Sequence, residues 1–238
     1  MSKEVRKATV ARKTAETDIK VELNLDGNGN YEINTGIKFL DHMLILLTRH
    51  SGIDLKIEAS GDLIHHIAED IAICLGECFN NALGNKKGIN RYGWALIPMD
   101  ESLARCALDF SGRKALILDL KLNEECNIED MAVEDIKHFF NSFAENAKMN
   151  LHLKVLYGED QHHKVEAAFK ALARAIKNAI EKSINVYTIM IDPTISEELM
   201  HIMFGSSERW TILRDKDKLR EVMLKYVAKH VTRMLRKE

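Results

Sequence analysis

Apolar and polar residues alternate strictly near the start of the chain. Ile19, Val21, Leu23 and Leu25 are apolar, with Lys20, Glu22 and Asn24 between them. A period of two puts one face inward, so residues 19–25 predict a strand, with 5–13 as an earlier one. Asp26-Gly27-Asn28-Gly29 reads as a turn, and a short strand near 31–34 follows it. The period then lengthens. Ile37, Leu40, Met43, Leu44 and Leu47 share one face of a helix running to about His50, which Ser51-Gly52 ends. Residues 53–59 alternate again and Ser60-Gly61-Asp62 turns the chain. Ile67, Ile71, Cys74, Leu75, Cys78 and Leu83 then recur at helical spacing over 64–83.

The same order returns. Strands are predicted at 92–97, 103–110 and 114–121, a helix at 131–148, a strand at 150–157 and a helix at 162–183. Residues 1–183 thus predict an internally duplicated α+β domain with halves of about 1–87 and 88–183. Each half is strand-strand-strand-helix-strand-helix. Helices on one face of each sheet would pack together, between two sheets. Residues 184–238 leave this pattern as a C-terminal extension. Its clearest element is an amphipathic helix near 217–236, built on Leu219, Val222, Met223, Tyr226 and Val227. That helix is expected to lie on the body or on a neighbouring subunit.

Composition narrows the functional classes. With 46% hydrophobic residues in 238, the chain has material for a large core. A formal net charge of −2 provides no broad basic surface, so no nucleic-acid partner is expected. No apolar run approaches the roughly 20 residues of a membrane span, and the first residues show no apolar signal segment. A cytoplasmic protein with no membrane partner is expected. Cys74, Cys78, Cys106 and Cys126 form no CxxC pair and read as buried, reduced thiols.

Ten histidines outnumber the four cysteines, and they carry the candidate chemistry. His65-His66-Ile67-Ala68-Glu69 reappears 97 residues later as His162-His163-Lys164-Val165-Glu166. Positions i and i+3 share a helix face, so His66 is expected to chelate with Glu69, and His163 with Glu166. The first histidine of each pair points about 100° away and would serve a second ion, or one shared with another chain. One such motif on a helix is ordinary polar surface; two at matching places of a repeat point to metal. Imidazoles with a carboxylate suit Mn, Fe, Co or Zn. His42 and His152 are further candidate ligands, whereas His138, His201 and His230 read as ordinary helix or tail residues.

A wider set of motifs accompanies the pair. It comprises Arg12-Lys13-Thr14-Ala15-Glu16-Thr17-Asp18-Ile19, Thr35-Gly36-Ile37-Lys38-Phe39-Leu40-Asp41-His42-Met43-Leu44, and Asn90-Arg91-Tyr92-Gly93. Pro98-Met99-Asp100-Glu101, Asp109-Phe110-Ser111-Gly112-Arg113, Leu151-His152 and Phe169-Lys170-Ala171 follow. In this order they resemble the imidazoleglycerol-phosphate dehydratase family over about residues 5–180. The resemblance implies a fold like domain 2 of ribosomal protein S5 and self-association into a 24-subunit octahedral shell. It implies two Mn2+ per active site, held between subunits by His42, His65, His66, Glu69, His152, His162, His163 and Glu166. Other divalent transition metals fit the same donors.

The reaction implied is loss of water from imidazole glycerol phosphate to give imidazole acetol phosphate, in histidine biosynthesis. It would run through an imidazolate and a diazafulvene-type elimination. Glu16 is the implied catalytic proton shuttle. His50, Arg91, Arg113 and Lys170 are the implied substrate contacts. Some positions depart from the family. Ile64 and Ile67 flank the first motif, Asp160 precedes the second, and Leu46 stands where a polar residue is usual. The family's closing Ser-Thr-Lys loop is replaced by Asp192-Pro193-Thr194-Ile195-Ser196-Glu197, with no lysine between Lys182 and Lys216. The alternative is a metalloprotein of the same fold with altered substrate or no activity.

Overall fold

A computed structural model describes residues 6–182. The extension, its expected helix and the 192–197 segment lie outside those residues.

The first half folds as β1 (Lys7–Lys13), β2 (Thr17–Asn24), β3 (Tyr31–Asn34), α1 (Lys38–Ser51), β4 (Asp54–Gly61) and α2 (Ile64–Leu83). The second half repeats it with β5 (Tyr92–Met99), β6 (Ser102–Asp109), β7 (Ala115–Asp119), α3 (Val133–Asn146), β10 (Asn150–Tyr157) and α4 (Gln161–Ile180). The sheets have one topology, β1-β2-β4-β3 and β5-β6-β10-β7. In each, two antiparallel pairings are followed by a parallel one at the last strand.

One piece breaks the symmetry. β8 (Asn127–Ile128) and β9 (Met131–Ala132) form a small ribbon before α3, present only in the second half. The helix expected from 131 therefore starts at Val133. The ribbon's turn has a use. Asp130 accepts from the backbone N–H groups of Lys38 and Phe39, at 2.7 and 3.0 Å. Those are unpaired donors of the first turn of α1, whose N-cap residue, Ile37, has no side-chain oxygen to offer.

The helices lie between the sheets, and they pair across the halves. α1 packs on α4, and α2 on α3. The reason is the shared apolar filling. Phe79 of α2 meets Phe143 of α3 across the halves at 5.5 Å between ring centroids, and within the second half Phe140 of α3 meets Phe169 of α4 at 4.8 Å. All four rings are buried. Each buried ring contributes about 1.5–3 kcal/mol, and the Phe79–Phe143 contact draws on both halves. Cross-pairing also sets the chemistry, because it carries side chains of one half to motifs of the other. No described helix is long and apolar enough to cross a membrane. Three cysteines are buried thiols, as expected, whereas Cys126 is exposed.

Candidate metal centre

Both histidine motifs open a helix, α2 or α4, close to its N-terminus. In α4 the start is fixed by Asp160, whose side chain accepts from the His163 N–H at 3.0 Å. His162 Nε2 lies 3.4 Å from Glu166 Oε2, and His42 Nε2, from α1, lies 3.3 Å from the same oxygen. One donor atom from each of the three falls within 4.8 Å of the others. Two nitrogens and an oxygen so close form the start of a divalent transition-metal site.

This reverses one expectation about the motif. The first histidine of the pair faces the glutamate, and the second turns away. Four residues are 400° of helix, a 40° offset, whereas three leave 60°. Helical side chains also lean toward the N-terminus, so Glu166 reaches back over His162.

Glu166 is buried and has two kinds of partner. Its other oxygen meets Lys170 Nζ at 2.6 Å. Burial works to raise its pKa, but the Lys170 hydrogen bond and charge, with His42, hold it below the ordinary glutamate value. It is an anion poised to accept a cation.

The first half holds a parallel cluster. His65 Nε2 lies 3.9 Å from Glu69, and its ring lies 5.0 Å from that of His138, on α3. His138 thus stands to His65 as His42 stands to His162, on the helix that crosses from the other half. Shifting His42 by the repeat length lands within one residue of His138, and that signal was available in the sequence.

All four motif imidazoles have Nδ1 on a carboxylate. His65 is held by Asp135 at 2.8 Å, His66 by Asp62 at 2.8 Å, His162 by Glu129 at 3.2 Å and His163 by Glu101 at 2.8 Å. A carboxylate accepts only, so each partner assigns the proton to Nδ1 and turns the Nε2 lone pair outward. Hydrogen bonding to Asp62 raises the His66 pKa, and hydrogen bonding to Glu101 raises that of His163. In return the Asp62 carboxyl falls below its usual range, as does that of Glu101. Glu129 reaches His162 from the turn of the ribbon that sequence periodicity did not reveal.

The other expected residues are scattered. His50 lies near Lys170, Arg174 and Arg49; burial first, then those cations, push its pKa down, against the pull of Glu166. Glu16 Oε2 is 3.8 Å from His66 Nδ1. Arg91 pairs with Asp109 at 2.6 and 3.0 Å. Its N–H bonds Ala179, seventeen residues along α4 from His162, about 25 Å away at 1.5 Å per residue. Arg113 follows β6 at that same far end. His152 is exposed on the outer face of the second sheet, in a row with Trp94, Ala107 and Ile117. Neither histidine cluster includes it. Position on a strand next to a motif does not determine the face, and here the inward positions belong to Leu151 and Leu153.

Residues 35–176 match the family model described as imidazoleglycerol-phosphate dehydratase. The chain belongs to the imidazoleglycerol-phosphate dehydratase family. The imidazoleglycerol-phosphate dehydratase of Chloroherpeton thalassium is 53% identical over 183 residues, covering 76% of this chain and 94% of that protein. That of Clostridium acetobutylicum is 47% identical over 190 residues, covering 79% and 96%. Among solved structures, the Staphylococcus aureus dehydratase superposes with a TM-score of 0.68 at 37% identity, covering 74% of this chain and 99% of that one. The Pyrococcus furiosus protein, solved in complex with (S)-C348, gives 0.65 at 38% identity, covering 74% and 95%. As a member of this family the chain is a hydro-lyase of histidine biosynthesis acting on a small-molecule substrate. The dehydratase match spans both histidine clusters and the ribbon between them.

Proposed function

We propose that the chain removes water from imidazole glycerol phosphate at a centre of two divalent metal ions, Mn2+ as the family resemblance implies, completed between copies of the chain in the cytoplasm. The observation that carries this is the carboxylate on Nδ1 of every motif imidazole, which leaves four Nε2 donors of metal-ligand type. His42, His162 and Glu166 would hold one ion. His65, Glu69 and His138 are disposed to hold another. His66 and His163 turn away from these sets, so they serve a neighbouring copy's ions. His138 takes the ligand role that the sequence suggested for His152. Bound metal supplies Lewis acidity toward the substrate imidazole and a template for it.

The chain's own groups do the rest. Glu16, beside His66, moves the proton between the carbinol carbon and the departing hydroxyl. Lys170, with His50 and Arg174 nearby, forms a cationic floor for the substrate's anionic end. Arg91 and Arg113 sit about 25 Å from the His162 cluster, and so reach a phosphate only in another copy's site. The outer face of the second sheet fits the same picture. Trp94 and Tyr92 are 71% and 63% exposed there, with Leu96 and Ile117 beside them. A second copy of this chain is the partner, because the divided ligand set already requires one. The 24-subunit shell that the family resemblance implies would need further contacts besides that one.

The test is turnover of imidazole glycerol phosphate by metal-stripped protein with Mn2+ restored, read with sedimentation. Imidazole acetol phosphate should appear only with metal and only from the assembled form. Metal binding without product would favour a same-fold metalloprotein with another substrate. A fully metal-loaded monomer would refute the shared site.

A further inference from the structure

Glu16 and Glu101 hold the same place in the two halves. Each immediately precedes the second strand, β2 beginning at Thr17 and β6 at Ser102. A glycine in the turn before each motif helix makes the approach possible. A β-carbon on Gly61 would lie 2.9 Å from the Glu16 carbonyl oxygen, and one on Gly158 only 2.1 Å from the Ser102 hydroxyl. Without those atoms the helix entry sits against the strand, and each glutamate arrives beside the second histidine of its motif.

From there the halves diverge. In the first, Asp62 takes His66 Nδ1 at 2.8 Å and Glu16 stands 3.8 Å back. In the second, the residue at the place of Asp62 is Glu159, and Glu101 itself takes His163 Nδ1 through Oε2. Its other oxygen accepts from the backbone N–H groups of Glu159 and Asp160, at 3.1 and 3.0 Å, and from the Ser102 hydroxyl at 2.8 Å. Glu101 is therefore tied at both ends. One oxygen faces two backbone donors of the turn and the Ser102 hydroxyl, and the other faces one imidazole.

We propose that Glu101 is a positioning residue for the metal centre: it locks His163 as the Nδ1-protonated tautomer and aims its Nε2 at the ion of a neighbouring copy. This rests on the metal reading above. Capture of His66 by Asp62 relieves Glu16 of the equivalent duty and leaves its carboxylate for proton transfer. Equivalent carboxylates thus do different work, one holding a ligand and one meeting the substrate.

Substitution Glu101→Gln isolates the effect. The two backbone N–H donors require an oxygen at the Oε1 position, so the amide NH2 must face His163. An NH2 group donates, which makes Nδ1 an acceptor and moves the ring proton to Nε2, where the metal lone pair is needed. Full-length protein is stripped of metal and titrated with Mn2+ by calorimetry, comparing wild type, E101Q and His163→Ala. The unfolding midpoint of each stripped protein is measured alongside. Affinity should fall about 10–100-fold in E101Q, approaching H163A, as loss of an outer partner of a metal ligand does. The stripped E101Q midpoint should match wild type, because the turn contacts survive. Wild-type affinity in E101Q, with loss in H163A, overturns the proposal and leaves the metal reading standing. Equal affinity in wild type and H163A overturns both. A lowered E101Q midpoint with weakened binding counts against the proposal, since the loss would then be structural.

Discussion

The outer faces of the two sheets differ although their strand orders are identical. Across the first runs a lattice of ions. Lys20 meets Glu22 at 2.7 Å, and Lys56 meets Glu32 at 2.7 Å and Glu58 at 3.3 Å. Across the second, Trp94, Ala107, His152 and Ile117 form one row, with Leu96 and Tyr92 on the same strand as Trp94. The inner faces are alike, apolar and buried. Duplication constrains only what the core needs, namely one apolar face per strand and helices to cover it. The outward positions differ, charged on the first sheet and largely apolar on the second.

The most damaging test of two equal halves is at their shared core. Phe143→Ala removes a buried ring that packs on Phe79 of the other half, and should cost about 3–5 kcal/mol. Denaturant unfolding should show one transition, shifted as a whole. Two transitions, with only one moved, would mean the halves are independent. Next come the ligands. His138→Ala should lower Mn2+ affinity tenfold or more, as should His42→Ala, while His152→Ala should bind as wild type. If H152A loses metal and H138A does not, the crossed pairing of histidines is wrong. Third, Trp94→Lys should shift sedimentation toward smaller species with the circular dichroism unchanged. Lys56→Met on the charged sheet should leave assembly intact and move stability by less than about 0.5 kcal/mol. Equal effects of the two would erase the contrast between the faces.

The smallest effect concerns pH. His50 has its pKa lowered by burial, then by Lys170, Arg174 and Arg49, with Glu166 opposing. A depressed histidine contributes stability above its unfolded value near 6.5, and loses that contribution as pH falls through the folded value. Metal-stripped protein should therefore lose thermal stability faster below about pH 6.5 than His50→Gln does. Inorganic phosphate placed among the same cations should narrow the difference. Thermal midpoints between neutral and mildly acidic pH, with and without phosphate, read both.

Much of the fold was legible because its signals are local. Period two gave β2, period 3.6 gave α2 with the bounds 64–83, and the doubled motif marked the repeat. The β8–β9 ribbon was not legible, since four ladder residues are too few for a period. Its consequences, Glu129 on His162 and Asp130 on α1, were hidden with it. Within the site, the motif histidines were evident as donors, but their aim was not. His66 and His163 were expected to face their glutamates, and His65 and His162 do. His138 reads as an ordinary helix residue unless the repeat is applied to His42 as well as to the paired motif, since its partner, His65, lies 73 positions away in sequence.

The sequence alone determined the elements, their duplication and the stock of donor side chains, because hydrophobic period and residue chemistry are properties of a short stretch of chain. Tertiary structure decided which donors meet. α1 lies on α4 and α2 on α3, and that crossing brings Phe79 of the first half against Phe143 of the second. Each histidine cluster is therefore assembled from two halves, and Nδ1 of His65, His162 and His163 is claimed by a carboxylate that packing delivers, whereas Asp62 reaches His66 from four residues away. Direction in space is a long-range property, fixed by the burial of the whole core.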